Sequence, residues 1–226
     1  MGIFAKATIR LLLAFAVLYL LLFVLSADAH WLQGWLLWGL LAATVVANLV
    51  VLRRDPGLLA ERMKPMLRAG QPLMDRILLL LFLACYGAWY FLMPLQHRLQ
   101  PDVVLHPWLQ AGGGLLALAG CVVILVCFAQ NSYLSTVVRI QSERGHQLVD
   151  TGLYSVVRHP MYAGVLCLLP GAALLLSSSW GLLAGIAGIV VLYLRAVQEE
   201  KLLCQQLPGY ADYVKRVRHR LIPYIL

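Results

Sequence analysis

Met161 to Leu194 reads MYAGVLCLLPGAALLLSSSWGLLAGIAGIVVLYL, 34 residues without a formal charge. A helix crossing the ~30 Å hydrocarbon layer needs about 20 apolar residues. This run is therefore too long for one ordinary span and just long enough for two short ones. Ser177-Ser178-Ser179 with Gly181 supplies a reversal near its middle, and Pro170-Gly171 supplies a kink. We read a two-helix hairpin, with a single long bent helix as the alternative. The choice decides whether the chain after Arg195 returns to the side of the membrane that holds the segment before Met161.

The rest of the chain agrees with a membrane setting. Of its 226 residues 62% are hydrophobic and only 12% charged, with a mean hydropathy of +0.80. Soluble domains carry about 45–50% apolar and ~25% charged residues, so a soluble enzyme, a disordered regulator and a disulfide-built secreted domain are excluded. Thr8–Ala27, Trp31–Leu52, Ile77–Leu95 and Leu109–Ala129 supply four further spans. The first lacks a convincing cleavage site and a second span follows at once, so it is read as a mature helix and not a signal peptide. The expected fold is an all-α polytopic bundle of about six crossings, five if the last run is undivided. Residues 1–107 form an N-terminal membrane part, and residues 108–226 a core with a C-terminal cofactor-binding region.

Charge placement favours six crossings. The 18 Lys and Arg outnumber the 10 Asp and Glu. With six spans every basic residue except Arg98 falls on one face, the asymmetry expected of the cytoplasmic side. Both termini are then cytoplasmic, and the Ala/Leu-rich composition with short loops points to a prokaryotic inner membrane. Trp31, Trp35, Trp89, Trp108 and Trp180 lie near predicted span ends, where interfacial anchors sit. Cys85, Cys121, Cys127, Cys167 and Cys204 form no Cys-x-x-Cys or Cys/His cluster and read as small hydrophobes, so no metal is expected. Gly112-Gly113-Gly114 lacks the Gly-Lys-Ser/Thr of a phosphate loop and reads as close helix packing. Basic residues flank spans instead of interleaving with aromatics, so nucleic acid is not an expected partner.

Polar residues concentrate in two segments on the basic face, Asn131 to Gly164 and Arg195 to Tyr213. Pro160 suits the first position of a helix. Arg158 and His159 then precede a helix N-terminus, where unpaired N–H groups favour an anion, and Arg158 adds a cationic fork. A bare Arg-His-Pro also fits a simple positive-inside flank. Glu199 and Glu200 stand at the end of an apolar helix, where acidic residues are functional candidates. A plain alternative is that Glu199 pairs with Arg195 at i,i+4 while Glu200 is solvated.

The ordered series is more specific than its parts. His146-x-Leu148-Val149-x-x-Gly152-x-Tyr154-x-x-x-Arg158-His159-Pro160-x-Tyr162-x-Gly164, an apolar hairpin, Glu199-Glu200 and a Pro-Gly-Tyr-x-x-Tyr tail together resemble the isoprenylcysteine carboxyl methyltransferase family. Related membrane methyltransferases acting on phospholipid amines or small thiols share much of this pattern. The resemblance covers about residues 110–226. It implies S-adenosylmethionine as methyl donor and a membrane-associated, lipophilic acceptor beside the lipid bilayer. By motif position, His146, Leu148, Val149, Gly152, Tyr154, His159, Pro160 and Glu200 line the donor site, while Arg158, Tyr162 and Glu199 border the reacting centre. Transfer of this kind needs alignment more than acid–base help, and positioning alone contributes ~7–11 kcal/mol. Spans around the hairpin are expected to form a lipid-open tunnel for the acceptor's chain. A transporter would need polar residues distributed through the spans, where Asn48 and Gln130 are nearly the only candidates. A sterol-type reductase using NADPH is the more distant alternative.

Overall fold

The computed structural model describes residues 2–68 and 70–223. Among the described residues eight α-helices follow one another: α1 (Ile3–Ser26), α2 (Leu32–Leu52), α3 (Pro56–Met63), α4 (Leu73–Leu99), α5 (Pro107–Gln130), α6 (Pro160–Leu175), α7 (Ser179–Gln206) and α8 (Tyr210–Arg216). Among the described residues there is no strand. Five helices, α1, α2, α4, α5 and α7, are long and apolar enough to cross a membrane, and α6 is a shorter apolar helix. This is an integral, multi-pass helix bundle.

The divided reading of Met161–Leu194 matches the structure. α6 ends at Leu175, and the chain reverses through Leu176-Ser177-Ser178, with Ser177 at φ 56°. Ser178 caps α7, its hydroxyl accepting a hydrogen bond from the Gly181 N–H at 2.9 Å. Pro170 lies within α6 without ending it. At 16 residues α6 is about 24 Å long, shorter than a full crossing. α7 continues to Gln206, well past the apolar run, so Glu199 and Glu200 sit on a helix and not in a tail.

The closest helix approach is built from small residues. A Cβ on Gly120 would stand 2.5 Å from the Gly164 carbonyl oxygen, and one on Gly164 would stand 2.9 Å from the Gly120 carbonyl oxygen. Gly113 meets Gly171 in the same seam, which accounts for one member of the triple glycine. Backbone-to-backbone contact of α5 with α6 thus fixes where α6 begins. α4 packs against α7, and the Trp89 indole donates to the Leu169 carbonyl at 2.9 Å. Trp89 is therefore a fully buried core residue, and Trp31, buried against His97 at 4.1 Å, is likewise no exposed interfacial anchor. Trp108 remains open to the surroundings.

The two ends of the bundle differ in chemistry. One carries the α1–α2, α4–α5 and α6–α7 turns, where His97 meets Asp28 at 3.1 Å and Gln96 accepts from Ser178 and the Trp180 N–H. The other gathers α3, the long 131–159 segment, α8 and every basic residue but Arg98. α3 begins at Asp55, whose carboxylate accepts the Leu58 N–H at 2.8 Å, with Pro56 in the first turn.

Candidate active site

The Arg-His-Pro turn is held as an extended piece of backbone before α6. The Arg158 N–H donates to the His219 carbonyl at 3.0 Å and the His159 N–H to the Arg220 carbonyl at 2.9 Å. Pro160 follows as the first residue of the helix, where its missing N–H costs nothing. The C-terminal segment therefore lies alongside the turn, behind the site.

Glu200 binds these parts together. Its carboxylate accepts from Arg158 Nε at 2.6 Å, Arg220 Nε at 2.8 Å and His159 Nε2 at 3.2 Å. The remaining Arg158 donors go to Glu200 at 3.3 Å and to the Val217 carbonyl at 2.7 Å. Arg158 is buried, and each of its three guanidinium nitrogens makes a hydrogen bond. The anion expected of this cationic fork is supplied by the chain itself.

Glu199 points elsewhere, because consecutive residues on a helix diverge by about 100°. Its carboxylate accepts from the Tyr162 hydroxyl at 2.9 Å and lies 4.0 Å from His159 Nδ1. Arg195, one turn earlier, donates instead to Asp75 of α4 at 3.0 Å and to the Thr136 carbonyl at 2.6 Å. The i,i+4 pairing between Arg195 and Glu199 gives way to this long-range one, and Glu199 keeps acceptor capacity. Asp75 also accepts from Gln71 and from the Val138 N–H, so α4, α7 and residues 136–138 meet at one buried carboxylate.

The opposite wall is the 131–149 segment. The Tyr133 ring stacks on His146 with centroids 4.4 Å apart. His146 Nδ1 accepts the Gln141 N–H at 3.3 Å, which leaves the neutral ring's proton on Nε2. Burial and the nearby Arg144 both lower the His146 pKa. Gln141 is fully buried, donating to the Tyr133 carbonyl and accepting from Arg144. The wall is anchored to α3 by Glu61, which receives Arg68 at 2.6 Å, Lys64 at 2.7 Å, Arg139 at 2.9 Å and Ser135 at 2.9 Å. Burial alone would raise the Glu61 pKa, but these four donors hold it well below the usual carboxylate range.

Between the two walls lies a cleft whose lining includes His146, Leu148, Val149, Tyr154, Arg158, His159, Pro160, Tyr162 and Glu199. Glu200 and Gly152 are outside the lining. Glu200 stands behind the Arg-His-Pro turn. Gly152 turns the chain at φ +60°, where a Cβ would collide with the Gln130 amide, and the neighbouring Leu153 N–H donates to Gln130 at 3.0 Å. Free space in the cleft is ≈ 100 Å³, well below the ~300–1,000 Å³ of small-molecule sites. Its side chains must part to admit a ligand of nucleoside size. Tyr133, Val138 and Leu203 also line it, while Asp75, Glu61 and Arg220 act behind it. Sequence reasoning assigned none of these six. Asp75 and Glu61 were detectable as acidic residues bordering apolar segments, by the criterion that singles out Glu199. Among the described residues no three His, Cys, Asp or Glu form a metal-holding group.

The cleft thus opens at the polar end of the membrane bundle and is built on the Arg-His-Pro turn. Residues 108–208 match the model of the phospholipid methyltransferase family. No curated protein matches the chain. Among solved structures it is similar to the eukaryotic intramembrane Ras methyltransferase, isoprenylcysteine carboxyl methyltransferase, with a TM-score of 0.56 and 18% identity. The alignment covers 100% of this chain and 88% of that one, a likeness of fold.

Proposed function

We propose that the protein transfers a methyl group from S-adenosylmethionine to a membrane-associated acceptor at the cytoplasmic face, with both termini on that side. The observation carrying this reading is Glu199, a carboxylate inside the cleft that receives, among the described residues, one short hydrogen bond, from Tyr162. When bound, the donor supplies an electrophilic methyl whose sulfur departs with the electron pair as the acceptor forms its new bond. The residues fit such a cationic, aromatic ligand. Glu199 offers an anion, Tyr133, His146 and Tyr154 offer rings, and Leu148, Val149 and Leu203 offer apolar walls.

The chain's own contribution is positioning in a water-poor cleft. Tyr162 orients Glu199. Arg158 and Glu200 hold the Arg-His-Pro turn and act as positioning residues. The acceptor reading follows the motif resemblance to carboxylate methylation of isoprenylated cysteine. The phospholipid methyltransferase match favours a second reading, methylation of a phospholipid amine.

Calorimetry on detergent-purified protein tests the donor. S-adenosylmethionine should bind and NADPH should not, and Glu199→Gln should weaken the former about 10-fold or more. Binding of NADPH alone would move the protein to the reductases. Incubating membranes with labelled donor and identifying the product then separates the acceptor readings.

A further inference from the structure

A second cavity opens at the basic end of the bundle, between α1 and α2 and under α3, with ≈ 670 Å³ of free space. It is not beside the α6–α7 hairpin, where a chain-holding tunnel was expected. α1 presents Ala7, Leu11 and Ala14 to it, one helical face. Farther along, α1 and α2 meet through Tyr19, Phe23, Trp35 and Trp38, with neighbouring rings 4.5–5.9 Å apart. The pair is thus joined at one end and open at the other.

The open end is polar, and its polar groups are incompletely used. Among the described residues Arg62 of α3 forms no ion pair, and its buried Nε has no hydrogen-bond partner. Its guanidinium lies 4.6 Å over the Phe128 ring, with Nη2 3.6 Å from Met161 Sδ. Burial pushes the Arg62 pKa down to about 10, still charged at neutral pH. Arg10 reaches only a carbonyl, that of Met63 at 3.1 Å, and Lys64 stands at the mouth. Asn48 Oδ1, buried in the same lining, is also without a partner.

We infer that this cavity is a binding site for an anionic membrane phospholipid, its phosphate among Arg10, Arg62 and Lys64 and the start of an acyl chain between α1 and α2. Charge complementarity selects the head. Glu61, the acid beside these cations, is buried and already occupied by Arg68, Lys64, Arg139 and Ser135. The ammonium of a zwitterionic head therefore finds no free carboxylate here, whereas a phosphate finds Arg10 and Arg62, neither ion-paired among the described residues, with Lys64, already bonded to Glu61, at the mouth. Asn48 Oδ1 provides an acceptor for a glycerol hydroxyl or a bound water. The site does not depend on the methyl-transfer reading, since it lies outside residues 108–208 apart from Phe128.

Native mass spectrometry of delipidated protein, titrated with phosphatidylglycerol or phosphatidylcholine of identical chains, tests the inference. One phosphatidylglycerol should bind about 10-fold more tightly than phosphatidylcholine. Arg62→Ala should abolish that preference, and Ala14→Phe, which fills the groove, should weaken both lipids. Soluble glycerol phosphate should not compete. Lys215→Ala, an exposed cation on α8, should change nothing. Equal affinity for the two lipids, a preference that survives Arg62→Ala, or an equal loss in Lys215→Ala would overturn the assignment. If Arg62→Ala fails to fold, Arg10→Ala and Ala14→Phe carry the same comparison.

Discussion

The α5–α6 pair and the α1–α2 pair solve the problem of helix association differently. α5 and α6 touch backbone to backbone along Gly113, Gly120, Gly164 and Gly171, with no room for a methyl group. α1 and α2 are held apart by large rings and leave a cavity at their basic end. In lipid no hydrophobic force drives helices together, so close packing supplies the association energy. The rigid pair carries the Arg-His-Pro turn, and the open pair carries none of the cleft. Rigidity has been placed where side-chain positions must be fixed.

The sharpest way to break this contrast is to add volume to each pair. Gly164→Val should destabilise the protein by about 3 kcal/mol or more, because the new Cβ meets backbone that cannot yield. Gly39→Val in α2, where a Cβ meets nothing within 4 Å, should stay within about 0.5 kcal/mol. Unfolding in detergent reads both.

The two adjacent acids sharpen the comparison inside the site. Glu200→Gln leaves the buried Arg158 without its anion and should cost about 3 kcal/mol of stability. Glu199→Gln should leave the unfolding midpoint nearly unchanged while donor binding falls. Equal effects from the two in either measurement would remove the division between a structural and a ligand-facing carboxylate.

Acid should act on the 131–149 wall before the Arg-His-Pro wall. His146 has a lowered pKa in the fold because burial, aided by Arg144, disfavours its charged form. Its contribution to wall stability is therefore complete above the ordinary value of ~6.5 and is lost as pH falls through the lowered one. Calorimetric donor affinity should drop severalfold between pH 7.5 and 5.5, and His146→Phe should flatten that dependence while keeping the stack on Tyr133. A smaller effect is expected at the far end. Ser178→Ala removes the cap of α7 and should lower stability by about 1 kcal/mol without altering donor binding.

Much of this fold was legible in the sequence because each span announces itself as an apolar run. The hairpin within Met161–Leu194 was readable from three serines and the placement of basic residues. The extension of α7 through Gln206 was not, since a helix that leaves the membrane loses its apolar signal while keeping its hydrogen bonds. α3 and α8 are short and polar for the same reason. Within the site, nine of the eleven residues named from the motif line the cleft. The motif did not tell Glu199 from Glu200, because one step along a helix changes direction but not composition. Nor did it reveal Arg195 with Asp75, 120 positions apart, since that pairing exists only after two helices have packed.

The backbone hydrogen bonds from Arg158 and His159 to residues 219 and 220 impose an order on biogenesis. Among the described residues the five membrane-length helices all precede residues 219 and 220, so those helices can be in the membrane before these two residues have been made. The turn that opens α6 therefore receives its backbone partners after the helices around it are in place.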